Sequence, residues 1–192
     1  ALFHSTPAAT LVQRHGTRDV IEANEAFEHL VGRARSTLLG RTPPDMWAND
    51  ADRVRFREFL DAQGRVHSLP ATGKHSSGTT FECLVFAELV EAGTDRLVMT
   101  MLLDVTAEVA ARRALEKSEE RFAKAFNFSP LGMTITRMSD GSFLEVNPAN
   151  EQVLGFSRQA LMAQTSVQAG VWVTSDERDA YIATLHRDGR LM

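Results

Sequence analysis

The sequence predicts an α+β fold, in which antiparallel strands carry short helices on one face and the whole unit occurs twice. Two observations predict it. Strand-like segments alternate with Asn-capped helical segments and end in three strands joined by short turns. In addition, advancing by 123 residues from Phe3 aligns the chain with itself, without a gap, as far as Thr42 over Thr165.

This internal repeat marks a duplication. Eleven of the 40 aligned pairs are identical, whereas unrelated segments of ordinary composition agree at roughly one position in fifteen. The identical pairs are Phe3/Phe126, Pro7/Pro130, Arg14/Arg137, Glu22/Glu145, Asn24/Asn147, Ala26/Ala149, Glu28/Glu151, Gly32/Gly155, Arg35/Arg158, Leu38/Leu161 and Thr42/Thr165. A two-residue insertion then shifts the offset to 125, which places Trp47 over Trp172 and Phe56 over Tyr181. We therefore predict a first domain at 1–105, a connecting helix at 106–125 and a second, shorter domain at 126–192.

Composition limits the classes of protein to consider. Of 192 residues, 43% are hydrophobic and 24% are charged, as in a globular protein. A net charge of −4 without a basic cluster argues against nucleic acid as a partner. The single cysteine, Cys83, excludes an internal disulfide. Because the chain has no long apolar run and no signal-peptide pattern, we expect a cytoplasmic region without a membrane span, cut from a longer protein that could be anchored elsewhere.

Each copy is predicted to open with a β-hairpin followed by short helices. In the first copy, residues 10–14 and 20–23 flank a turn, and in the second the Asp-Gly pair at 140–141 suits a tight hairpin. Asn24 and Asn147 stand where a helix N-cap is expected, and a glycine follows each helix as its C-terminal stop. We interpret both asparagines as caps rather than catalytic groups.

A longer helix and three strands complete the first copy. Residues 43–44 are prolines that break regular structure, and Asp50 is predicted to cap a helix over 51–62 that ends at Gly64. Strands are predicted over 66–71, 79–90 and 96–103.

Both faces of these three strands are apolar. On the second of these strands Cys83 and Val85 lie on one face, and on the third strand Thr100 does, while the residues that alternate with them lie on the opposite face. The outer face is predicted to carry Leu84, Phe86, Met99 and Met101. Because short helices can cover only one face, we expect the outer face to pack against the connecting segment, the second copy or another subunit.

The connecting segment is predicted to be an amphipathic helix that begins at Thr106. It lacks Gly and Pro and is rich in Ala, Glu, Lys and Arg. An apolar seam runs along it at alternating steps of four and three residues, as in a coiled coil. The seam consists of Ala111, Leu115, Ser118, Phe122 and Ala125. The same pattern also fits a helix packed on its own sheet.

Several motifs together resemble the PAS domains of bacterial signalling proteins. They are FNFSPLG at 126–132, EVNPA at 145–149, LGFS at 154–157, KHSSGTTF at 74–81 and DVT at 104–106. In the 74–81 motif, Ser77 stands where the family carries an acidic residue. The resemblance covers essentially the whole chain in two copies, although Met192 falls before the three sheet strands that would complete the second.

The resemblance implies a five-stranded antiparallel sheet that cups a small pocket beneath short helices. The pocket would be lined by Trp47, Phe56, Leu60, Cys83, Val85 and Thr100, although a filled core without a ligand is an open alternative. A signal would leave through Asp104, Thr106, Leu115 and Phe122. The implied role is a sensory input module of a signalling protein of the histidine kinase or cyclic-dinucleotide type.

No residue pattern predicts catalysis or a metal site. The six histidines are scattered, without Cys or acidic partners at metal-binding spacing. In the resembled family, haem binders carry a ligand His on the longer helix, where the first copy has none. Covalent flavin binders carry a reactive Cys on their helices, whereas Cys83 lies on a predicted strand. We therefore expect neither haem nor covalent flavin, and the cofactor is otherwise left open.

Two functions remain, and they differ in what the pocket does. In the first, the protein is a sensor whose pocket takes a small molecule and whose connecting helix passes the signal onward. In the second, it binds no small molecule and serves as a dimerisation and relay scaffold. Both favour a homodimer formed through the outer sheet face, the connecting helix or both.

Overall fold

The computed structural model describes residues 6–42 and 46–188, so the predicted break at 43–44 lies outside the described residues. The chain divides into two compact units, Ala1–Arg113 and Ala114–Met192. Each unit has its own sheet and its own hydrophobic core. Among the described residues, no helix is long and apolar enough to span a bilayer.

The first unit contains a five-stranded antiparallel sheet in the order β2-β1-β5-β4-β3, which confirms the predicted fold class. Its strands are β1 (Ala9–Arg14), β2 (Val20–Ala23), β3 (Arg65–Lys74), β4 (Thr80–Ala92) and β5 (Asp95–Asp104). The hairpin and the three-strand meander join where β1 pairs with β5, from Ala9 opposite Leu102 to Arg14 opposite Leu97.

The meander strands are longer than predicted, and the turn between β4 and β5 shows why. Pairing continues to Ala92 opposite Asp95, which leaves only Gly93 and Thr94 outside the ladder. Gly93 adopts a φ of +66°, as a tight two-residue hairpin turn requires. The polar residues near this turn therefore extend the ladder instead of forming a loop.

Three helices pack on one face of the sheet. They are α1 (Glu25–Val31), α2 (Arg35–Leu38) and α3 (Asp50–Gln63). With the inner face of the sheet they bury a core whose largest fully buried apolar side chains are Leu11, Val20, Phe27, Val31, Leu38 and Val85.

Asn24 caps α1, as predicted, and also fastens the helix to the sheet. Its side chain is completely buried. Oδ1 accepts hydrogen bonds from Phe27 N at 2.9 Å and from Thr10 N at 2.8 Å. Nδ2 donates to the carbonyl oxygens of Ala8 at 2.8 Å and Thr6 at 3.2 Å. The amide therefore satisfies backbone groups of two elements at once.

The prediction that Asp50 caps the longer helix is wrong, because Asn49 is the cap. Asn49 Oδ1 accepts from Asp52 N at 2.8 Å, and Asp50 lies in the first turn. An amide and a carboxylate are about equally good caps, so composition alone could not choose between adjacent positions.

Asp52 ties α3 to β3. Its Oδ2 accepts from Thr72 N at 3.1 Å, and its Oδ1 accepts from Arg55 at 2.6 Å. Burial alone would raise the pKa of Asp52, but the hydrogen bonds from Thr72, Asn49 and Arg55 outweigh it and hold that pKa below its ordinary value.

The helix that follows the first sheet is α4 (Thr106–Asn127). It begins at the predicted residue and ends two residues beyond the predicted 125. No Gly or Pro occurs from Val105 to Ser129, and Phe128 N still donates to Lys124 O at 3.0 Å, so nothing ends the helix earlier.

The second unit repeats the opening elements of the first. Its elements after α4 are β6 (Thr134–Thr136), β7 (Phe143–Val146), α5 (Pro148–Leu154), α6 (Arg158–Met162) and α7 (Ser175–Asp188). Asn147 repeats the role of Asn24: its Oδ1 accepts from Asn150 N at 2.9 Å and from Met133 N at 2.8 Å. The predicted duplication therefore extends to individual hydrogen bonds.

The strand register confirms the offset of 123. In the first unit Leu11 lies opposite Ala23, and in the second Thr134 lies opposite Val146. In both hairpins the pairing register then shifts by one residue at the equivalent position, after Val12 in the first and after Ile135 in the second.

Candidate functional site

A small cavity lies between the inner face of the first sheet and its helices. Strand alternation points every second residue of β1, β4 and β5 towards it. Its volume is about 80 Å³. The lining residues are Leu11, Gln13, Phe27, Met46, Trp47, Phe56, Gly73, Phe81, Cys83, Val85, Thr100 and Leu102.

Five of the six predicted pocket residues line this cavity, and Leu60 does not. Trp47, which precedes α3, and Phe56, on α3, form the wall opposite the sheet, with ring centroids 5.3 Å apart. Trp47 is held against the sheet because it bridges to Gly73. Leu60 lies one helical turn beyond Phe56 and is buried in the core outside the lining.

Other lining residues were not identified as pocket residues from the sequence. Leu11 and Gln13 follow the same alternation on β1 and could have been found from it. Phe27 could have been found from its place in the first turn of a capped helix. The contact of Phe81 with Gly73 had no sequence signal: a Cβ at Gly73 would lie 2.3 Å from the Phe81 ring.

The cavity is apolar and its thiol is inert. Cys83 Sγ donates to Ala71 O at 3.5 Å. Burial, reinforced by the nearby carboxylates of Asp104, Asp52 and Glu82, raises the pKa of Cys83 to about 12. A thiol with so high a pKa stays protonated at neutral pH and is a poor nucleophile.

The cavity is small compared with sites for drug-sized ligands. Such sites enclose about 300–1,000 Å³, and an engineered apolar cavity of about 150 Å³ holds benzene. A space of about 80 Å³ accommodates only a few non-hydrogen atoms unless the lining moves.

The start of α4 is bound to β4 beside this cavity. Thr106 Oγ1 donates to Asp104 Oδ1 at 2.6 Å and accepts from Glu82 N at 3.0 Å. Val105 N donates to Glu82 O at 2.9 Å. About two turns further along the helix, Arg113 pairs with Glu82 Oε1 at 3.2 Å. Of the predicted relay residues, Thr106 is therefore bonded both to Glu82 of β4 and to Asp104, which lies opposite Cys83.

The other two predicted relay residues lie on α4 with much of their side chains exposed. Leu115 is 59% exposed and Phe122 is 53% exposed. Phe122 stacks on Phe126 with ring centroids 5.6 Å apart. The seam is thus present on the helix surface.

The predicted outer face is formed by β4 and β5. Phe86 pairs with Met101, and Leu84 pairs with Leu103. Met99 is 36% exposed, whereas Leu84, Phe86 and Met101 are half-buried. His67 packs edge-on against Phe86 at 5.4 Å between centroids. This apolar surface remains accessible in the described part of the chain.

In the part of the chain that the structure describes, no group of three or more His, Cys, Asp or Glu side chains is placed to hold a metal ion.

Comparison with known proteins places both units in one family. Two PAS domain family models match the chain, one at residues 7–107 and the other at residues 120–187. The sequence matches no curated protein.

Solved structures resemble the chain at low sequence identity. An RNA-binding light-oxygen-voltage receptor is 23% identical, with a TM-score of 0.52 over 62% of this chain and 35% of the receptor. The chain thus matches about a third of that receptor, and the likeness shows the fold alone. A PAS domain from a two-component sensor histidine kinase is 14% identical, with a TM-score of 0.47 over 54% of this chain and 89% of that domain. A PAS domain from Colwellia psychrerythraea is 16% identical, with a TM-score of 0.48 over 55% of this chain and 92% of that domain.

Proposed function

The chain belongs to the PAS domain family, whose members are sensory modules of signalling proteins, and from this premise we propose that its first unit senses a small apolar molecule and relays the signal through α4. The proposal places no catalytic step in this region. The output belongs to an effector of the histidine kinase or cyclic-dinucleotide type.

One observation carries the proposal: Glu82 lies between two residues that line the cavity. Phe81 and Cys83 face the cavity, while the backbone of Glu82 bonds to Val105 and Thr106 at the start of α4. Neighbouring residues of a strand point to opposite faces, so a displacement of Phe81 or Cys83 also moves the peptide units of Glu82. A ligand that favours one position of β4 thereby favours one position of the first helical turn.

The cavity determines the class of ligand. Eight of its twelve lining residues have hydrocarbon, aromatic or thioether side chains, and its volume is about 80 Å³. Thr100 and Gln13 supply the hydroxyl and the amide, and Gln13 Nε2 already donates to Arg18 O at 3.0 Å. The ligand is therefore small and mainly apolar.

Xenon is a suitable probe because it is apolar and fits small cavities. Amide and indole NMR signals of the full chain are recorded as xenon pressure rises. We expect the signals of Trp47 and Cys83 to shift, and those of Glu82 and Thr106 to shift with the same pressure dependence.

The control variants separate binding from relay. Thr106→Val removes the hydroxyl that joins α4 to Glu82 but leaves the hydrogen bond from Val105 N to Glu82 O, so it should reduce the shift at the start of α4 while Trp47 still responds. Thr94→Val, in the turn between β4 and β5, should change neither response. Cavity signals that shift while Thr106 stays unmoved in the parent protein would refute the relay.

The exposed outer face favours a second function, self-association. Half-buried Leu84, Phe86 and Met101 adjoin exposed Met99 and Leu103, and apolar patches on a sheet commonly mark interfaces. We propose that this face contributes to a homodimer, which would serve as a scaffold even without a ligand.

Sedimentation velocity tests this association. Met99→Glu should shift a dimer towards monomer because it places a charge within the apolar face. Val54→Glu provides a matched control, since Val54 is an exposed apolar residue on α3. A parent protein that is monomeric at all accessible concentrations would refute the dimer.

A further inference from the structure

The outer face of the first sheet carries an open hollow that the sensor proposal does not use. Its volume is about 240 Å³. It lies across the sheet from the small cavity, because neighbouring residues of β4 point to opposite faces and Val85 lines the cavity. The lining of the hollow includes Arg65, His67, Phe86, Glu88, Met99 and Met101.

Two thioether groups enter the hollow from β5. Met99 and Met101 are two residues apart and both line it, so their side chains leave the same face of the strand, with Cα atoms about 6.8 Å apart. Metal–sulfur bonds are about 2.3 Å long in zinc–thiolate sites, so one ion can join two sulfur atoms that are up to about 4.6 Å apart. The three rotatable bonds of each methionine side chain allow the sulfur atoms to come that close.

A β-bulge brings a nitrogen ligand to the same hollow. β3 loses register against β4 between Val66 and Leu69, and such bulges re-aim side chains. His67 lies in this bulge, and its ring meets Phe86 edge-on at 5.4 Å between centroids. Phe86 in turn pairs with Met101. Neither ring nitrogen of His67 makes a hydrogen bond to a described residue, so either nitrogen can bind an ion.

The ligand types favour a soft monovalent cation. Thioether sulfur selects Cu(I), and imidazole nitrogen also binds copper, whereas Ca²⁺ and Mg²⁺ require several oxygen ligands. Among the described lining residues, Glu88 is the only carboxylate, and it lies opposite Arg65, which balances its charge. The hollow therefore suits Cu(I) better than a hard divalent ion.

The site becomes visible only when methionine sulfur is counted as a ligand. In the described chain, His, Cys, Asp and Glu alone form no metal-binding group of three. Sequence spacing does not predict the site either, because His67 and Met99 are 32 residues apart and meet only through strand pairing.

We propose that the outer face binds Cu(I) through Met99 Sδ, Met101 Sδ and one ring nitrogen of His67. Phe86 provides an apolar floor beside the ion. The proposal does not rest on the sensor function, because the two sites lie on opposite faces of the sheet.

Cu(I) affinity is measured anaerobically, with ascorbate present, by competition with the chromophoric chelator bicinchoninate. The full chain is kept dilute, which limits self-association through the same face. We expect one Cu(I) ion to bind per chain.

Methionine methyl NMR signals identify the ligands. Those of Met99 and Met101 should shift as Cu(I) is added. Met133 and Met138 provide an internal control, because they are at least as exposed as Met99, and their signals should not shift.

Conservative variants test each ligand. Met99→Leu and Met101→Leu approximately keep the side-chain volume but remove a sulfur atom. His67→Phe keeps an aromatic ring against Phe86 but removes the nitrogen atoms. Each change should weaken Cu(I) binding at least about tenfold, whereas Met133→Leu, the matched control in the second unit, should leave it unchanged. Circular dichroism checks that the variants fold.

Three outcomes would overturn the proposal: no Cu(I) binding by the parent protein, shifts at Met133 equal to those at Met99, or full affinity in any one of the three ligand variants. Binding that survives all three changes would be that of an adventitious ion only. The xenon response of Trp47 tests the sensor proposal separately, so either proposal can fail without the other.

Discussion

Replacing Asn24 by alanine should destabilise the first unit far more than loss of an ordinary helix cap. Asn24→Ala removes the cap of α1, worth about 1 kcal/mol. It also leaves the buried N–H of Thr10 without an acceptor, because Asn24 Oδ1 receives that hydrogen bond at 2.8 Å. An unpaired buried donor costs about 1–3 kcal/mol, and the Ala8 carbonyl loses one of its two donors, keeping the hydrogen bond from Thr10 Oγ1 at 2.9 Å. We therefore expect a loss of roughly 3–4 kcal/mol in the free energy of unfolding.

Such a loss lowers the midpoint of thermal unfolding by roughly 15–25 °C for a domain of this size. Unfolding is followed by the fluorescence of Trp47 in a Trp172→Phe background, so that the signal reports the first unit. Asn49→Ala is the matched control, because Asn49 is exposed and its Oδ1 caps only α3. This control should lose about 1 kcal/mol. Equal losses for Asn24→Ala and Asn49→Ala would refute the claim that Asn24 fastens the helix to the sheet.

Four further predictions concern the cavity, two titrating groups and the connecting helix. Gly73→Ala should push the Phe81 ring into the cavity, abolish the xenon response of Trp47 and cost about 1–3 kcal/mol of stability; a retained response would show that the ring moves elsewhere. Cys83 should react with Ellman's reagent at pH 8 only on unfolding. Because its pKa is raised from 9.0 to about 12 in the folded state, stability should fall as the pH rises from about 9 towards 12, and a flat profile in urea titrations would contradict this. Because the pKa of Asp52 is lowered from its ordinary value of 3.8 in the folded state, its carboxylate stabilises the fold at pH values above 3.8, and this stabilisation is lost as the pH falls through the folded pKa. Asp52→Asn should lose this part of the acid dependence, and an unchanged acid profile would count against it. Leu115→Glu should change the free energy of unfolding by less than about 0.5 kcal/mol but reduce self-association in sedimentation if the seam is an interface, and unchanged association would exclude that role.

Local sequence signals predicted most of the fold. Alternation identified the strands, and the Asn and Gly positions identified the short helices, because these signals act over a few residues. The error at Asp50 arose where two good caps are adjacent. The tie between Asp52 and Thr72 could not be predicted, since it joins residues twenty apart through a hydrogen bond to backbone.

The candidate site was predicted less completely than the fold. Cys83 and Val85 followed from strand alternation, whereas Leu60 was misplaced because helical periodicity does not show how far a cavity extends along a helix. The close approach of Phe81 to Gly73 depends on two strands meeting in a particular register. Sequence patterns alone do not specify such tertiary contacts.

The stiffness of the first sheet is unequal across its width. β4 and β5 pair over ten successive residues without a register shift, from Cys83 opposite Asp104 to Ala92 opposite Asp95. β3 and β4, in contrast, lose register between Val66 and Leu69, and Ser68 there has a φ of +54°. Sliding β4 along β5 would break all the hydrogen bonds between them. A displacement of cavity residues can therefore reach α4 only if both strands tilt or twist together. The more deformable edge of the sheet is β3, which pairs with β4 on the side opposite β5. Substitutions at its bulge between Val66 and Leu69 should therefore change how far β4 and β5 can move together.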